Sequence, residues 1–302
     1  MGHRLLILFP GALGDLLCCW PAIDARRISG QTITLVARSG PLEALPAGAV
    51  MPFSIDRREV ADLFATGSLN PTTRAAFGGH SEVVSFTGYG DAQFTRRLAD
   101  AAGAEPAMRP FRPGRSGEHA VDYYARCLGV APRRSKLAVD DDAAAWASAW
   151  WKARSLGSRV LAVHAGSGGT HKNWTGMAEA AAACRARGWY RVLALVGPAE
   201  SERGERVPCD ASACNEPLQR VAALISRAHR YLGNDSGVSH LAGLLQTRGV
   251  VVFGPTDPAV WRPAGNTLRV LHGGTPCPEC GSERLCTHRI SVDEVLRALV
   301  AP

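Results

Sequence analysis

Short, unbroken apolar runs recur along the chain, each closed by glycine, proline or polar residues. Residues 4–9, RLLILF, form the first. A strand buried on both faces of a parallel sheet has this look, because helices cover both sides and no alternation survives. Similar runs at 31–37, 82–86, 159–164, 191–196, 231–233, 249–253 and 267–271 predict further strands. Between them the apolar positions recur at helical spacing, predicting helices over 16–27, 57–65, 70–77, 92–102, 118–128, 143–152, 177–187, 218–226 and 238–245. Ser291 and Glu294 stand at capping-box spacing and open a terminal helix over 291–300.

Strand and helix alternate in two successive runs with no internal repeat. That predicts an α/β chain of two Rossmann-like, doubly wound domains facing across a cleft. The break is expected between residues 153 and 158, ahead of the fresh strand at 159, giving domains 1–153 and 154–302. The terminal helix 291–300 is free to pack back on the first domain. Residues 105–117, EPAMRPFRPGRSG, combine prolines, glycines and arginines and read as a basic loop.

Composition narrows the class. The 302 residues suffice for two ordinary cores, and 46% hydrophobic with 20% charged residues describes a globular chain. The longest apolar runs are far too short to span a bilayer, and Pro10-Gly11 closes the first too early for a secretory signal. Nine cysteines, an odd number with several inside predicted helices and strands, fit a reducing cytoplasm better than a disulfide scaffold. A net charge of +7 suits an anionic partner. Its arginines are scattered along helices without the interleaved aromatics of a strand-binding groove, so nucleic acid is not expected.

The candidate chemistry lies in the turns that follow strands. Asn234-Asp235-Ser236-Gly237 leads into a helix whose first N–H groups lack intrahelical partners, a ready anion site. Asp235 as a plain N-cap is the competing explanation of the same residues. In the loop 165–174, Ser167 and Gly168 allow close backbone approach to a ligand, and Lys172 adds a positive charge. The spacing is not that of a P-loop. Both turns, with Gly254-Pro255-Thr256-Asp257-Pro258, follow strands of the second half and should converge on one crevice suited to a diphosphate. His240 would sit in the first helical turn beside it, as a ligand or as a satisfied helix histidine. Glu200, just past a strand end, has the position of a ribose-binding carboxylate or of a surface acid. In the first half Gly14-Asp15 follows a strand, where Asp15 is either a general base or the cap of a helix starting at Leu16.

Taken together, GALGDLLCCWPAIDARR, HAGSGGTHKNWTG, NDSGVSHLAG and FGPTDPAVWRP resemble, in order and spacing, the signatures of glycosyltransferase family 9, the bacterial heptosyltransferases of lipopolysaccharide core synthesis. The resemblance covers residues 4–27 and 159–263 well and 38–150 weakly. It implies a GT-B fold, an acceptor-side first domain and a donor-side second. It implies inverting, metal-independent transfer of a sugar, with ADP-heptose as donor, to a glycan or glycolipid such as lipopolysaccharide core. By alignment Asp15 becomes the base, while Lys172, Asp235, Ser236, Gly237 and His240 hold the diphosphate. Glu200 is aligned with the carboxylate that contacts the ribose. A cytoplasmic enzyme in peripheral contact with the inner membrane face, through the basic loop, is the expected setting. The alternatives are a fold-related sugar-nucleotide epimerase and a non-catalytic nucleotide-sugar-binding or assembly protein.

One cluster stands apart. Cys277, Cys280, Cys286 and His288 have spacing that suits a structural zinc or iron site, although reduced thiols packing a loop are the favoured explanation.

Overall fold

The structure, a computed structural model, describes residues 3–114, 117–133, 135–204, 206–274 and 286–301. They form two compact units, Met1–Ser135 and Lys136–Pro302.

The first unit is a five-stranded parallel sheet in the order β3-β2-β1-β4-β5. Its strands are β1 (Arg4–Leu8), β2 (Thr32–Ala37), β3 (Met51–Ser54), β4 (Glu82–Ser85) and β5 (Pro106–Met108). Leu5 to Leu8 are wholly buried, which is why the first run shows no alternation. Leu6 sits level with Thr34 on one side and Val83 on the other. Leu6, Leu8, Val36, Phe77, Val83, Phe94 and Leu98 form the core on one face. Helix Leu13–Ile28 is buried continuously from Asp15 to Asp24 and packs on helix Ala120–Cys127. The chain goes from β1 out to β2 and β3, then returns to β4 on the other side. The switch point of this sheet therefore lies beside the end of β1, where ligands bind in open α/β folds.

The second unit repeats the logic with six parallel strands in the order β11-β10-β9-β6-β7-β8. They are β6 (Val160–His164), β7 (Arg191–Val196), β8 (Ala211–Cys214), β9 (Arg230–Asn234), β10 (Gly249–Phe253) and β11 (Leu268–His272). Here the order reverses between β6 and β9, so His164 and Asn234, their last residues, flank the switch point. Gly249 begins β10 against Tyr231, and a Cβ there would lie 2.0 Å from the Tyr231 carbonyl oxygen.

Three strands, β3, β5 and β8, fall where the sequence pattern predicts none. All three are edge strands of three or four residues, none of them buried continuously. An edge strand does not need the continuous apolar run that marks its neighbours, and β5 opens on a proline, as an edge permits. Residues 106–108 of the expected basic loop are therefore strand.

Helix Asp141–Ala153 belongs to the second unit, where it packs on helix Leu218–Arg227, so the units divide at 135/136. Leu137 N–H donates to the Leu244 carbonyl at 3.1 Å, tying the connecting segment to the same unit. Helix Val292–Val300 packs on helix Met177–Ala186 and β10, with Val295, Leu296 and Leu299 entering the core of the second unit. Among the described residues no helix is long and apolar enough to cross a membrane.

Candidate active site

In the first unit Asp15 lies inside the first turn of helix Leu13–Ile28, three residues further into the helix than the sequence suggests. Its carboxylate accepts from the Ala12 N–H at 3.2 Å, closing the helix start from within, so it is the third helical residue and not the N-cap. Gly14 is the residue before it in the same turn. Asp15 is buried, and the Arg112 guanidinium approaches its Oδ2 at 3.6 Å. The loop carrying Arg112 is held by two hydroxyls: Tyr123 donates to the Pro110 carbonyl at 2.5 Å and Tyr124 to that of Phe111 at 3.1 Å. Burial pushes the Tyr124 hydroxyl far above its ordinary pKa, so it stays a donor at any physiological pH. Phe9 packs edge-on against Phe86, Phe111 and Tyr124 and seats the loop over the end of β1. Asp15 thus combines a helix-closing role with a position at a switch point.

In the second unit the loops after β6, β9 and β10 do meet. Lys172, at the end of the short 3-10 turn Thr170–Lys172, places Nζ 2.7 Å from Asp235 Oδ2. Asn234, fully buried, clamps the β6 loop at two points. Its Nδ2 donates to the Ala165 carbonyl at 2.6 Å and its Oδ1 accepts from the Trp174 N–H at 3.0 Å. A side chain at Gly254 would begin 3.7 Å from Lys172 Cα, so the loop after β10 lies against the same segment. Ser167 Oγ is 2.6 Å from both Gly169 O and Asn173 Oδ1, which braces the loop, while Gly168 is open to solvent.

The anion site itself differs in one detail from expectation. Helix Gly237–Leu244 is capped by Ser236, whose Oγ accepts from the Ser239 N–H at 3.4 Å, and not by Asp235. Asp235 is thereby left for Lys172. The N–H groups of Gly237 and Val238 stand at the helix start beside this pair, and His240 is buried in the same first turn.

Glu200 sits in the short helix Pro198–Glu202 after β7 and is only 6% exposed, which removes the surface-acid explanation. Oε2 accepts from the Gly197 N–H at 2.9 Å and Oε1 from Arg203 at 3.3 Å. It crosses toward the β6 loop over Gly166, where a Cβ would lie 1.7 Å from Oε1. His164 lies between Glu200 and Ser236, with Nε2 at 3.8 Å from Glu200 Oε2 and Nδ1 at 3.3 Å from Ser236 Oγ. Beyond Ser236, Ser239 Oγ donates to the Asn234 carbonyl at 2.6 Å and stands 3.0 Å from the Tyr231 hydroxyl.

Lys172, Glu200, Asp235, Ser236, Gly237 and His240 are therefore gathered at one sheet edge, as the sequence predicts, and Asp15 lies in the other unit. The sequence pattern missed His164, and it gave neither the clamp made by Asn234 nor the approach of Arg112 to Asp15. The signal for His164 was its place as the last residue of a strand, before the glycine-rich loop. Of the cysteine cluster, Cys277 and Cys280 lie outside the described residues; Cys286 is buried and His288 exposed. Among the described residues no group of three or more His, Cys, Asp or Glu side chains could hold a metal ion.

Two parallel-sheet α/β units with polar groups collected at their switch points have the architecture of the GT-B fold. The profile of glycosyltransferase family 9 (heptosyltransferase) matches residues 121–288, and the chain belongs to that family. Solved structures agree in fold. A family 9 glycosyltransferase from Veillonella parvula superposes with a TM-score of 0.77 at 20% identity, over 98% of this chain and 95% of the other. The ADP-heptose lps heptosyltransferase II of E. coli gives 0.73 at 15% identity, over 98% and 97%. The E. coli heptosyltransferase WaaC with ADP gives 0.68 at 20% identity, over 98% of each chain. No curated protein matches the chain in sequence.

Proposed function

We propose that this enzyme transfers heptose from ADP-heptose to a glycan or glycolipid acceptor of the lipopolysaccharide-core kind, inverting the anomeric centre and needing no metal ion. The convergence of Lys172, the start of helix Gly237–Leu244 and the buried Glu200 at one switch point carries the reading. A diphosphate fits between lysine and helix N–H groups, and a ribose diol fits a fixed carboxylate. Structures of similar fold are those of an ADP-heptose lps heptosyltransferase and of WaaC with ADP.

In this mechanism the first unit serves the acceptor and the second the donor. Asp15 takes the proton of the attacking hydroxyl, which approaches the anomeric carbon opposite the departing diphosphate, so one displacement inverts the centre. The negative charge that grows on the leaving ADP is met by Lys172 and the N–H groups of Gly237 and Val238. Lys172 has three N–H donors and can keep Asp235 while reaching a phosphate oxygen. Gly14, Ser167, Gly168 and His240 are assigned to the donor side. The enzyme works in the cytoplasm, and Arg109 and Arg112 meet the anionic head groups of a lipid-linked acceptor at the inner membrane face.

Replacing Lys172 by alanine tests this. The transition state should lose about 2–4 kcal/mol, read as a fall in kcat/KM for transfer from ADP-heptose. Undiminished kcat/KM removes Lys172 from the leaving-group site. Product analysis separates the alternatives, since an epimerase interconverts free sugar nucleotide without an acceptor and a binding protein yields no product.

A further inference from the structure

Glu200 and Ser236 stand on different loops, one after β7 and one after β9, at the two ends of the proposed nucleotide site. The side chain between them is His164, at the end of β6, itself 7% exposed. Resting on the donor-site reading above, we infer that His164 is a positioning residue that fixes the ribose-side carboxylate and the phosphate-side turn as one unit.

The proton inventory supports this. Ser239 Oγ has a single proton, directed at the Asn234 carbonyl 2.6 Å away, so it accepts from the Tyr231 hydroxyl at 3.0 Å. Ser236 Oγ accepts from the Ser239 N–H at 3.4 Å, and its own proton has two acceptors in reach, His164 Nδ1 at 3.3 Å and Ser239 Oγ at 3.4 Å. With its proton on Nε2, the His164 ring makes one hydrogen bond, to Ser236, and one looser approach, to Glu200. Nδ1 accepts from Ser236, and the Nε2–H faces Glu200 Oε2 at 3.8 Å. This tautomer is assigned from the partners. The order serine, histidine, carboxylate is that of a nucleophilic triad, but Ser236 Oγ is buried and engaged as a helix cap. The ring acts here as a strut between two loops and not as a base for attack.

Two consequences follow for the donor. Glu200 is held by the Gly197 N–H and by Arg203, with the ring 3.8 Å away on a further side, so its carboxylate is already placed for a diol. Ser236 is held so that the N–H groups after it stay aimed outward. Weakening either end should be felt at the other through His164.

Calorimetric titration of the full-length enzyme with ADP, together with a double-mutant cycle, tests the inference. His164→Phe keeps the ring shape without nitrogen, and ADP Kd should rise about tenfold, equal to about 1.4 kcal/mol. His164→Asn places a polar atom near Nδ1 and His164→Gln one near Nε2; each should recover part of the loss. Glu200→Gln and Ser236→Ala should be non-additive in the native background and additive in the His164→Phe background. In the transfer reaction the loss should appear in the donor KM with kcat little changed. Unchanged ADP affinity in His164→Phe, or an additive cycle in the native background, overturns the role of His164 and leaves the donor site standing. A lowered melting temperature with the native coupling still present also overturns it. If Glu200→Gln and Ser236→Ala each leave ADP affinity untouched, the donor-site reading fails and this inference with it.

Discussion

Gly166 lets Glu200 lie where it does, since a methyl group there would occupy the position of the carboxylate oxygen. Gly166→Ala should therefore leave the fold intact, because the clash is with the end of a flexible side chain, and displace Glu200. Calorimetry should show ADP binding weakened about tenfold while the melting temperature moves by only a few degrees. Undisturbed ADP affinity would separate Glu200 from the nucleotide. At this scale the sequence was partly legible. Lys172 and Glu200 stand out because charged residues just past strand ends have few purely structural uses. His164 did not, because it looks like the last residue of an apolar strand until a second strand is laid beside it. The cap role moved from Asp235 to Ser236 for a related reason. Both are good N-caps, and Lys172, sixty-three residues earlier, engages the aspartate.

Among the elements, the interior strands were readable from burial on both faces. The edge strands β3, β5 and β8 were not, since their stability comes from a neighbour's free backbone groups and not from their own side chains. The close pairing of β9 and β10 allows a sharp prediction. Gly249 faces the Tyr231 backbone, with its carbonyl oxygen 2.0 Å from where a Cβ would begin, and neither strand can move without breaking register. Gly249→Ala should destabilise the second unit by about 3 kcal/mol or more, in the class of severe core overpacking. Denaturant titration of the purified protein would measure it. A loss below about 1 kcal/mol would show that the strands can separate freely.

For the whole molecule, acidification should weaken both units. Burial holds His80 below the ordinary histidine pKa; its Nδ1–H donates to the Phe77 carbonyl at 2.8 Å and its Nε2 is 2.9 Å from Thr34 Oγ1. His229 in the second unit is also lowered, by burial and then by Arg230, Arg159 and Arg248. A lowered histidine stays neutral in the native state, while the unfolded chain takes up a proton near pH 6.5. Stability should then fall as pH drops from about 6.5 toward the lower native values, with the unfolded state binding more protons throughout that window. The lowered carboxylates Asp62 and Asp210 add to the fall only nearer pH 4. Melting curves at pH 7.5 and 5.5 for the native enzyme and for His80→Gln should show a smaller pH effect in the variant.

Every side chain proposed to hold the donor, from His164 through Lys172 and Glu200 to His240, lies in Lys136–Pro302, whereas Gly14, Asp15 and Arg112 lie in Met1–Ser135. Such a division makes the enzyme inheritable in halves. If the first unit serves the acceptor as proposed, a change of acceptor can accumulate there by drift or recombination while the second keeps its nucleotide, because no side chain of the proposed donor site is shared between them. Within such a lineage, donor preference should be the slower character to change.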